Sequence, residues 1–540
     1  MTTTPPPLSL SAPIWTGDAS RPRAARIELA EGRVRHVGDA SDRRRGDHDL
    51  RDAFCLPAFV DAHLHMVMGG LGLARLDLSQ TTSRAAFESS IADAAADLDR
   101  RDPHRIRWLE AWGWSAERWR HGGHGDPDRS WLAAAGDRPA IAWRMDRHAC
   151  LLNDPALAIV ERAHPGLPDL PGGEVVRDGR GVPTGILVEA NAWRQAIPLV
   201  PEADEATRRH ATRAAAAHLV RHGIVAVGAM EYANELRDAA IPELGSIPVR
   251  IAATLLDREW PLDVGLAEAV RAEIPMDLRD RLRVIGFKAF ADGTFGLRTA
   301  RMLEPYADRP DSQGMLVELA LDGHLESWAT GVRRAGLSPS IHAIGDGALR
   351  LAIDAFEAAE RAVPNGPGLP PRLEHAQTVH PEDLPRLKGR MVSVQPAHRA
   401  DDALVAERAL GTARLDRFFP LRSMQEAGAV LAFGSDWPVV APDPIAAIQS
   451  AVTGTTVAGE VFRPDETLSI TAALIAATTQ AAACLGFDDA GVLAPMRRAD
   501  LVVLDRDPFE ANWLEAPPEI VATIAGGEIV FDRDGRFGDS

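Results

Sequence analysis

The side chains best suited to chemistry in this chain are histidines, a lysine and an aspartate, each at or near the end of an apolar run. His63 and His65 stand one residue apart in residues 56–65, LPAFVDAHLH. This stretch reads as one buried strand, and a strand sends alternate side chains to the same face, so the two rings point the same way. Two neutral imidazoles held this close suit a divalent metal. Lys288 lies in LRVIGFKAFADG, His342 in PSIHAIGD, His375 in RLEHAQTV and Asp436 in AVLAFGSDWPV. Alone, each reads as a core residue or a loop cap. Together, on five separate apolar runs, they are hard to explain as independent accidents.

The chemistry fits one or two divalent ions. His63, His65 and Asp436 would hold the first; His342 and His375 would hold the second. Imidazole and carboxylate suit Zn2+, with Mn2+, Fe2+ or Co2+ also accommodated. An ammonium repels cations, which leaves two roles open for Lys288. Its neutral amine can combine with carbon dioxide to give a carbamate whose oxygens bridge the ions. Otherwise it stays an amine and orients substrate or pairs with Asp292. Burial and nearby cations both lower a lysine pKa, which favours the carbamate.

The elements that must position these groups are eight apolar runs. Besides the five above, they are GIVAVGAME from Gly223, VRIAATLLD from Val249 and MVSVQPAH from Met391. Continuous apolar strands imply a parallel sheet buried on both faces, and most gaps hold alanine-rich helical stretches. The fold class is therefore α/β, with a (β/α)8 TIM barrel as leading architecture and an open doubly wound sheet as the alternative. In such a barrel the active site lies at the C-terminal ends of the strands, where the histidines fall. No GxGxxG follows an early strand, so nothing supports a dinucleotide site.

Both termini have a different character. Residues 24–38 read as short strands, as do ADLVVLDRDP and VATIAGGEIVFD near the end. They predict a composite β-sandwich from residues 1–55 and 490–540 around a barrel of residues 56–489. Residues 1–13, rich in Thr and Pro, read as disordered. The gap after the first barrel strand is too long for a simple connection and predicts an α/β insertion, residues 100–222, capping the barrel mouth. Trp112, Trp114 and Trp119 there, at near-helical spacing, read as packing of the insertion before an aromatic substrate wall.

Composition narrows the function class. The 540 residues are 46% hydrophobic and 25% charged, with a formal net charge of −18. These values suit a soluble globular enzyme and argue against a nucleic-acid partner. No segment has the apolar length of a membrane span, and the first residues lack a signal peptide's basic region. Three dispersed cysteines read as buried hydrophobes in a reducing compartment. A cytoplasmic enzyme acting on a small molecule is the expectation, with a homo-oligomer open.

The motifs HLH, FKAFADG, HAIGD, LEHAQ and GSDWPV, with PGGEVVRDGRGVPTGIL, SVQPAH and RADLVVLDRDP, resemble the amidohydrolase superfamily. The resemblance is stronger to its YtcJ-like branch, amidohydrolase family 3, which includes N-substituted formamide deformylases, and it covers nearly the whole chain. It implies a metal-dependent hydrolase with metal ligands at His63, His65, Lys288, His342, His375 and Asp436. The run Met496-Arg497-Arg498 and the AVTGTT stretch depart from the family pattern, at the sandwich and the barrel rim.

On this reading a metal-bound hydroxide, with its pKa lowered to about 7, attacks the substrate carbonyl. Asp436 would be general base, passing the proton to the leaving amine. His148 in RMDRHA matches a family motif and is read as a second catalytic group. Asp146, Asp292, Arg298, Gln395 and His398 are candidate substrate contacts. The bond cleaved is expected to be a non-peptide C–N bond in an N-formyl or N-acyl amide. A lactone, carbamate or cyclic imide would use the same machinery. A non-hydrolytic lyase such as a decarboxylase and a catalytically silent binding protein are the alternatives of other classes.

Overall fold

A computed structural model describes residues 7–115, 119 and 127–538. Its centre is an eight-stranded, all-parallel sheet curled into a nearly closed barrel. The strands are β1 (Phe59–Leu64), β2 (Ile224–Glu231), β3 (Arg250–Leu255), β4 (Leu282–Phe290), β5 (Ser338–Ala343), β6 (Arg372–His375), β7 (Met391–Val394) and β8 (Val430–Phe433). Strands β1, β2, β3, β5 and β6 are buried along their whole length, as parallel strands covered by helices must be. The helix after β5, Asp346–Ala362, shows how the outer layer forms. Its apolar residues Leu349, Ala352, Ile353, Phe356 and Ala359 recur at helical spacing and are buried.

The barrel comes together where β1 meets the turn after β8. The Asp436 amide donates to the His63 carbonyl at 2.6 Å, and the His65 amide donates to the Trp437 carbonyl at 2.7 Å. Asp61 clips the same junction, because its Oδ1 accepts from the amides of His63 and Ser435, each at 3.0 Å. A Cβ on Gly434 would lie 2.7 Å from the His63 nitrogen, so the approach needs glycine. The contact that joins the first and last strands thus also sets Asp436 beside the two histidines.

The single strand expected over residues 56–65 is two. Phe54–Pro57 pairs antiparallel with Leu501–Leu504, whereas β1 pairs parallel with β2. The apolar run crosses from one sheet to the other at Ala58 without a turn residue to mark the change. Strands from both ends of the chain share the first sheet, in the order Glu528–Asp532, Ile520–Ala525, Leu501–Leu504, Phe54–Pro57, Leu8–Trp15, Arg23–Ala30, Arg33–Gly38, with His48–Asp49 paired to Leu8–Trp15. Leu8–Trp15 falls largely in the stretch expected to be disordered. Leu8, Leu10, Ala12 and Ile14 alternate into a buried core with Ile27, Val503 and Ile524, which orders it.

The insertion after β1 holds a second sheet of six strands, ordered Glu174–Arg177, Pro183–Val188, Ala149–Leu152, Ala140–Arg144, Leu109–Trp114 and Leu76–Asp77. Its strand Leu76–Asp77 lies upstream of residue 100. Trp112 and Trp114 sit on a strand, not a helix. Trp114 and Trp119 are buried in the insertion's own core with Phe87 and Trp131. Among the described residues no helix is long and apolar enough to cross a membrane.

Candidate metal centre and substrate cavity

At the C-terminal mouth of the barrel, His63, His375 and Asp436 each offer a ligand atom, all within 4.8 Å of one another. His65 joins them, with Nε2 3.4 Å from Asp436 Oδ1; His63 Nε2 is 3.3 Å from the same oxygen. Lys288 Nζ is 3.4 Å from His63 Nε2. The His342 ring centroid is 4.4 Å from that of His375. All six expected ligands therefore converge on one buried cluster.

Two of them reach it through unusual backbone. His375 has φ 72° and Asp436 has φ 58°, in the left-handed region that non-glycine residues rarely occupy. Along β6, Arg372 and Glu374 point the same way, and their side chains bond to each other. Simple alternation would send His375 to the opposite face. Its left-handed turn brings the ring back to the cluster. Such strain, about 1–3 kcal/mol per residue, persists where surrounding structure over-determines it, commonly at functional sites.

The ring nitrogens are set for metal binding. His63 Nδ1 is 2.7 Å from Glu374 Oε2, His65 Nδ1 is 3.0 Å from the Met230 carbonyl, and His375 Nδ1 is 2.8 Å from Gln395 Oε1. Each partner is an acceptor, so Nδ1 carries the proton and Nε2 keeps its lone pair. His342 instead directs Nε2 at the Gly293 carbonyl, 3.2 Å away, which leaves Nδ1 free. Burial, aided by Lys288, pulls His63 down to about 4. Burial and neighbouring histidines hold His342 and His375 well below the usual range. Burial also pulls Lys288 down to about 8, against the opposing pull of Glu374 and Asp436. Asp436 stays ionised: burial opposes this, but the histidines facing it hold its pKa well below the usual carboxylate range. Neutral imidazoles, a carboxylate and a lysine of depressed pKa form a donor set that fits a divalent cation.

The remaining expected residues divide. Asp146 lines the site, bonded to Arg144 and accepting from Thr294 Oγ1 at 3.0 Å. Asp292 also lines it but does not pair with Lys288. Its oxygens accept from the amides of Arg301, Ile344 and Gly345, which ties the loops after β4 and β5 together. Gln395 is buried behind His375, outside the cavity wall. His398 lines a side pocket, its ring stacked at 6.3 Å on His375, and its buried Nε2 has no hydrogen-bond partner. Arg298 is not in the wall. Its guanidinium is held by Asp308 and by the Phe295 and Gly296 carbonyls, so the loop's own turn takes up its donors.

Two carboxylates escaped the sequence reading. Glu374, fully buried, holds His63 from behind and accepts from Ser340 and Arg372. Burial alone would raise its pKa, but Arg372 and His63 outweigh that and drive it far down. Glu189, at φ 63°, places Oε2 2.7 Å from His148 Nδ1. Burial alone would depress His148, but Glu189 outweighs it and lifts the imidazolium to about 9. That cation's ring lies 5.5 Å from the His342 ring. A charge partner across a site leaves no local spacing to find; Glu374 alone had a signal, its adjacency to His375.

The cluster opens on two spaces. One, of about 280 Å3, has a largely apolar wall from both the insertion (Trp143, Trp193, Ile197) and the barrel loops (Leu256, Phe290, Val317, Pro438). The other, of about 50 Å3, is bounded by Asp146, Thr294, Gln377, His398 and Asp402. Asp146, His148, His342, His375, Asp436 and Val439 border both.

A parallel barrel carrying a buried histidine–aspartate–lysine cluster at its strand ends defines a metal-dependent hydrolase architecture. The chain belongs to the amidohydrolase family, on its YtcJ-like side, amidohydrolase family 3: the model of the family matches residues 48–531. The YtcJ protein of Bacillus subtilis (strain 168) is 30% identical over 503 residues, covering 90% of this chain and 90% of that protein. An N-substituted formamide deformylase of Arthrobacter pascens is 25% identical over 553 residues, covering 97% of this chain and 98% of that enzyme. An uncharacterized metal-dependent hydrolase of Pyrococcus furiosus superposes with a TM-score of 0.69 at 25% identity, over 94% of this chain and 100% of that one. The family makes this protein an enzyme of the hydrolase class.

Proposed function

We propose that this enzyme hydrolyses a non-peptide C–N bond in an N-substituted amide with a small acyl group, formyl or little larger. The observation that carries this reading is the unequal pair of spaces around one reactive cluster. The 280 Å3 apolar cavity suits the substituent of the amine, and the 50 Å3 polar pocket suits the acyl side. The formamide deformylase among the relatives agrees with it.

His63, His65 and Asp436 would hold one divalent ion, Zn2+ by ligand type, and His342 and His375 a second. Lys288, as a carbamate, would offer oxygens to both. A divalent ion at such a site supplies Lewis acidity and a water acidified to near neutrality. Asp436, ionised beside that position, accepts the proton released as water attacks and returns it to the departing nitrogen. His148, charged through Glu189, offers an N–H to the oxygen that gains negative charge. Glu374, Met230 and Gln395 keep the rings oriented, and the insertion shields the site from bulk water.

The test is turnover by metal-loaded protein of N-substituted formamides, acetamides and butanamides, alongside lactones and cyclic imides. The expected order is formamide above acetamide above butanamide. Activity confined to lactones or imides would overturn the reading. Label from oxygen-18 water should appear in the released acid; its absence would point to the lyase class.

A further inference from the structure

Arg147 lines the cavity, and the proposed reaction does not use its chemistry. It occupies the turn between the strands Ala140–Arg144 and Ala149–Leu152, flanked by Asp146 and His148. Its φ is 64°, a conformation glycine would take at no cost. An arginine stands there instead, and its guanidinium carbon lies 5.8 Å from the Trp143 ring and 6.0 Å from the Trp112 ring.

Among the described residues this guanidinium has no ion-pair partner. Its Nε and Nη2 are buried without a hydrogen-bond partner. Neighbouring arginines are matched: Arg144 by Asp146, Arg258 by Glu318. The acid nearest in effect, Glu110, is already paired with Arg75 at 2.8 Å. Burial and the charge of Arg75 accordingly pull the Arg147 pKa down to about 9. A partly buried cation with two buried, unpaired donors is costly unless something supplies its counter-charge. What remains open to supply it is the occupant of the cavity. A planar fork of donors backed by indoles matches a planar monoanion.

We infer that Arg147 is a specificity determinant that receives a carboxylate borne by the apolar, amine-side substituent of the substrate. This rests on the amide-hydrolase reading above and adds the substrate class: amides of apolar or aromatic amines carrying a carboxylate.

Three probes test it on metal-loaded full-length enzyme. N-formylphenylalanine and N-(2-phenylethyl)formamide differ only by a carboxylate, and 4-(2-formamidoethyl)benzoate moves that group across the ring. The wild type should favour at least one anionic probe over the neutral one by about 10- to 100-fold in kcat/KM. Arg147→Met should bring that ratio to about 1, and Arg147→Lys should retain part of it. Equal use of all three probes by the wild type, or a preference that survives in Arg147→Met, would overturn the inference. A second readout separates the two readings. Quenching of tryptophan fluorescence by 3-phenylpropanoate and by 3-phenylpropan-1-ol needs no turnover. Tighter binding of the acid, lost in Arg147→Met but not in a correctly folded Gln195→Ala control, supports Arg147 even if no probe is cleaved. Equal binding of the acid by wild type and Arg147→Met overturns it even if the amides are cleaved.

Discussion

Glu374 Oε2 stands 2.7 Å from His63 Nδ1, while Nε2 of the same ring stands 3.3 Å from Asp436 Oδ1. The imidazole is thus fixed from behind by Glu374, itself anchored by Arg372 and Ser340, and presents Nε2 toward Asp436. Glu374→Gln keeps the shape and removes the charge that fixes the tautomer. Metal affinity should fall about 10- to 100-fold, measured by competition with a chromogenic chelator. Unchanged affinity in a variant of native circular dichroism would remove Glu374 from the metal centre.

Asp436 is held ionised by the rings around it, as a proton acceptor must be. Asp436→Asn preserves size and one ligand oxygen. In variant protein reloaded to the wild-type metal content, kcat should drop by about 100- to 10,000-fold. Turnover near the wild-type value at equal metal content would assign the proton transfer elsewhere.

Lys288 is buried, 3.4 Å from His63 Nε2 and not bonded to Asp292. With the Asp292 partnership gone, the proposed carbamate stands against an amine that orients substrate. Lys288→Ala should lose bound metal and activity, and short carboxylates or bicarbonate should restore part of both. Wild-type protein equilibrated with 13C-bicarbonate should show a carbamate carbon resonance that Lys288→Ala lacks. Full activity in the alanine variant would eliminate this role.

The candidate ligands were legible because they lie at or near the ends of five apolar runs, and a strand end is a local feature. The eight barrel strands were legible for the same reason. What escaped depended on distance or on backbone geometry. Glu189 meets His148 across 41 residues, and Glu374 meets His63 across 311. Arg298 looked like a site residue from its place after the β4 lysine, but its turn folds the guanidinium onto Asp308. The division of residues 56–65 between two sheets was hidden because both sheets demand the same apolar side chains.

The His148–Glu189 pair gives a pH-dependent stability whose sign is fixed. Glu189 overcomes burial and raises His148 from 6.5 to about 9. A folded pKa above the unfolded one stabilises fully below about pH 6.5, and the contribution is lost as pH rises through about 9. Glu189→Gln retains a hydrogen-bond acceptor and removes the charge. The variant should therefore be less stable than wild type at pH 6 by an amount on the order of 2–3 kcal/mol. The gap should narrow through pH 8 and vanish or reverse by pH 10, where a neutral imidazole leaves the buried Glu189 carboxylate unmatched. Urea unfolding at constant ionic strength and metal loading, followed at pH 6, 8 and 10, measures it. A gap that stays constant across this range would mean that Glu189 supports the turn by packing alone, and His148 would then lack the charge that its proposed role requires.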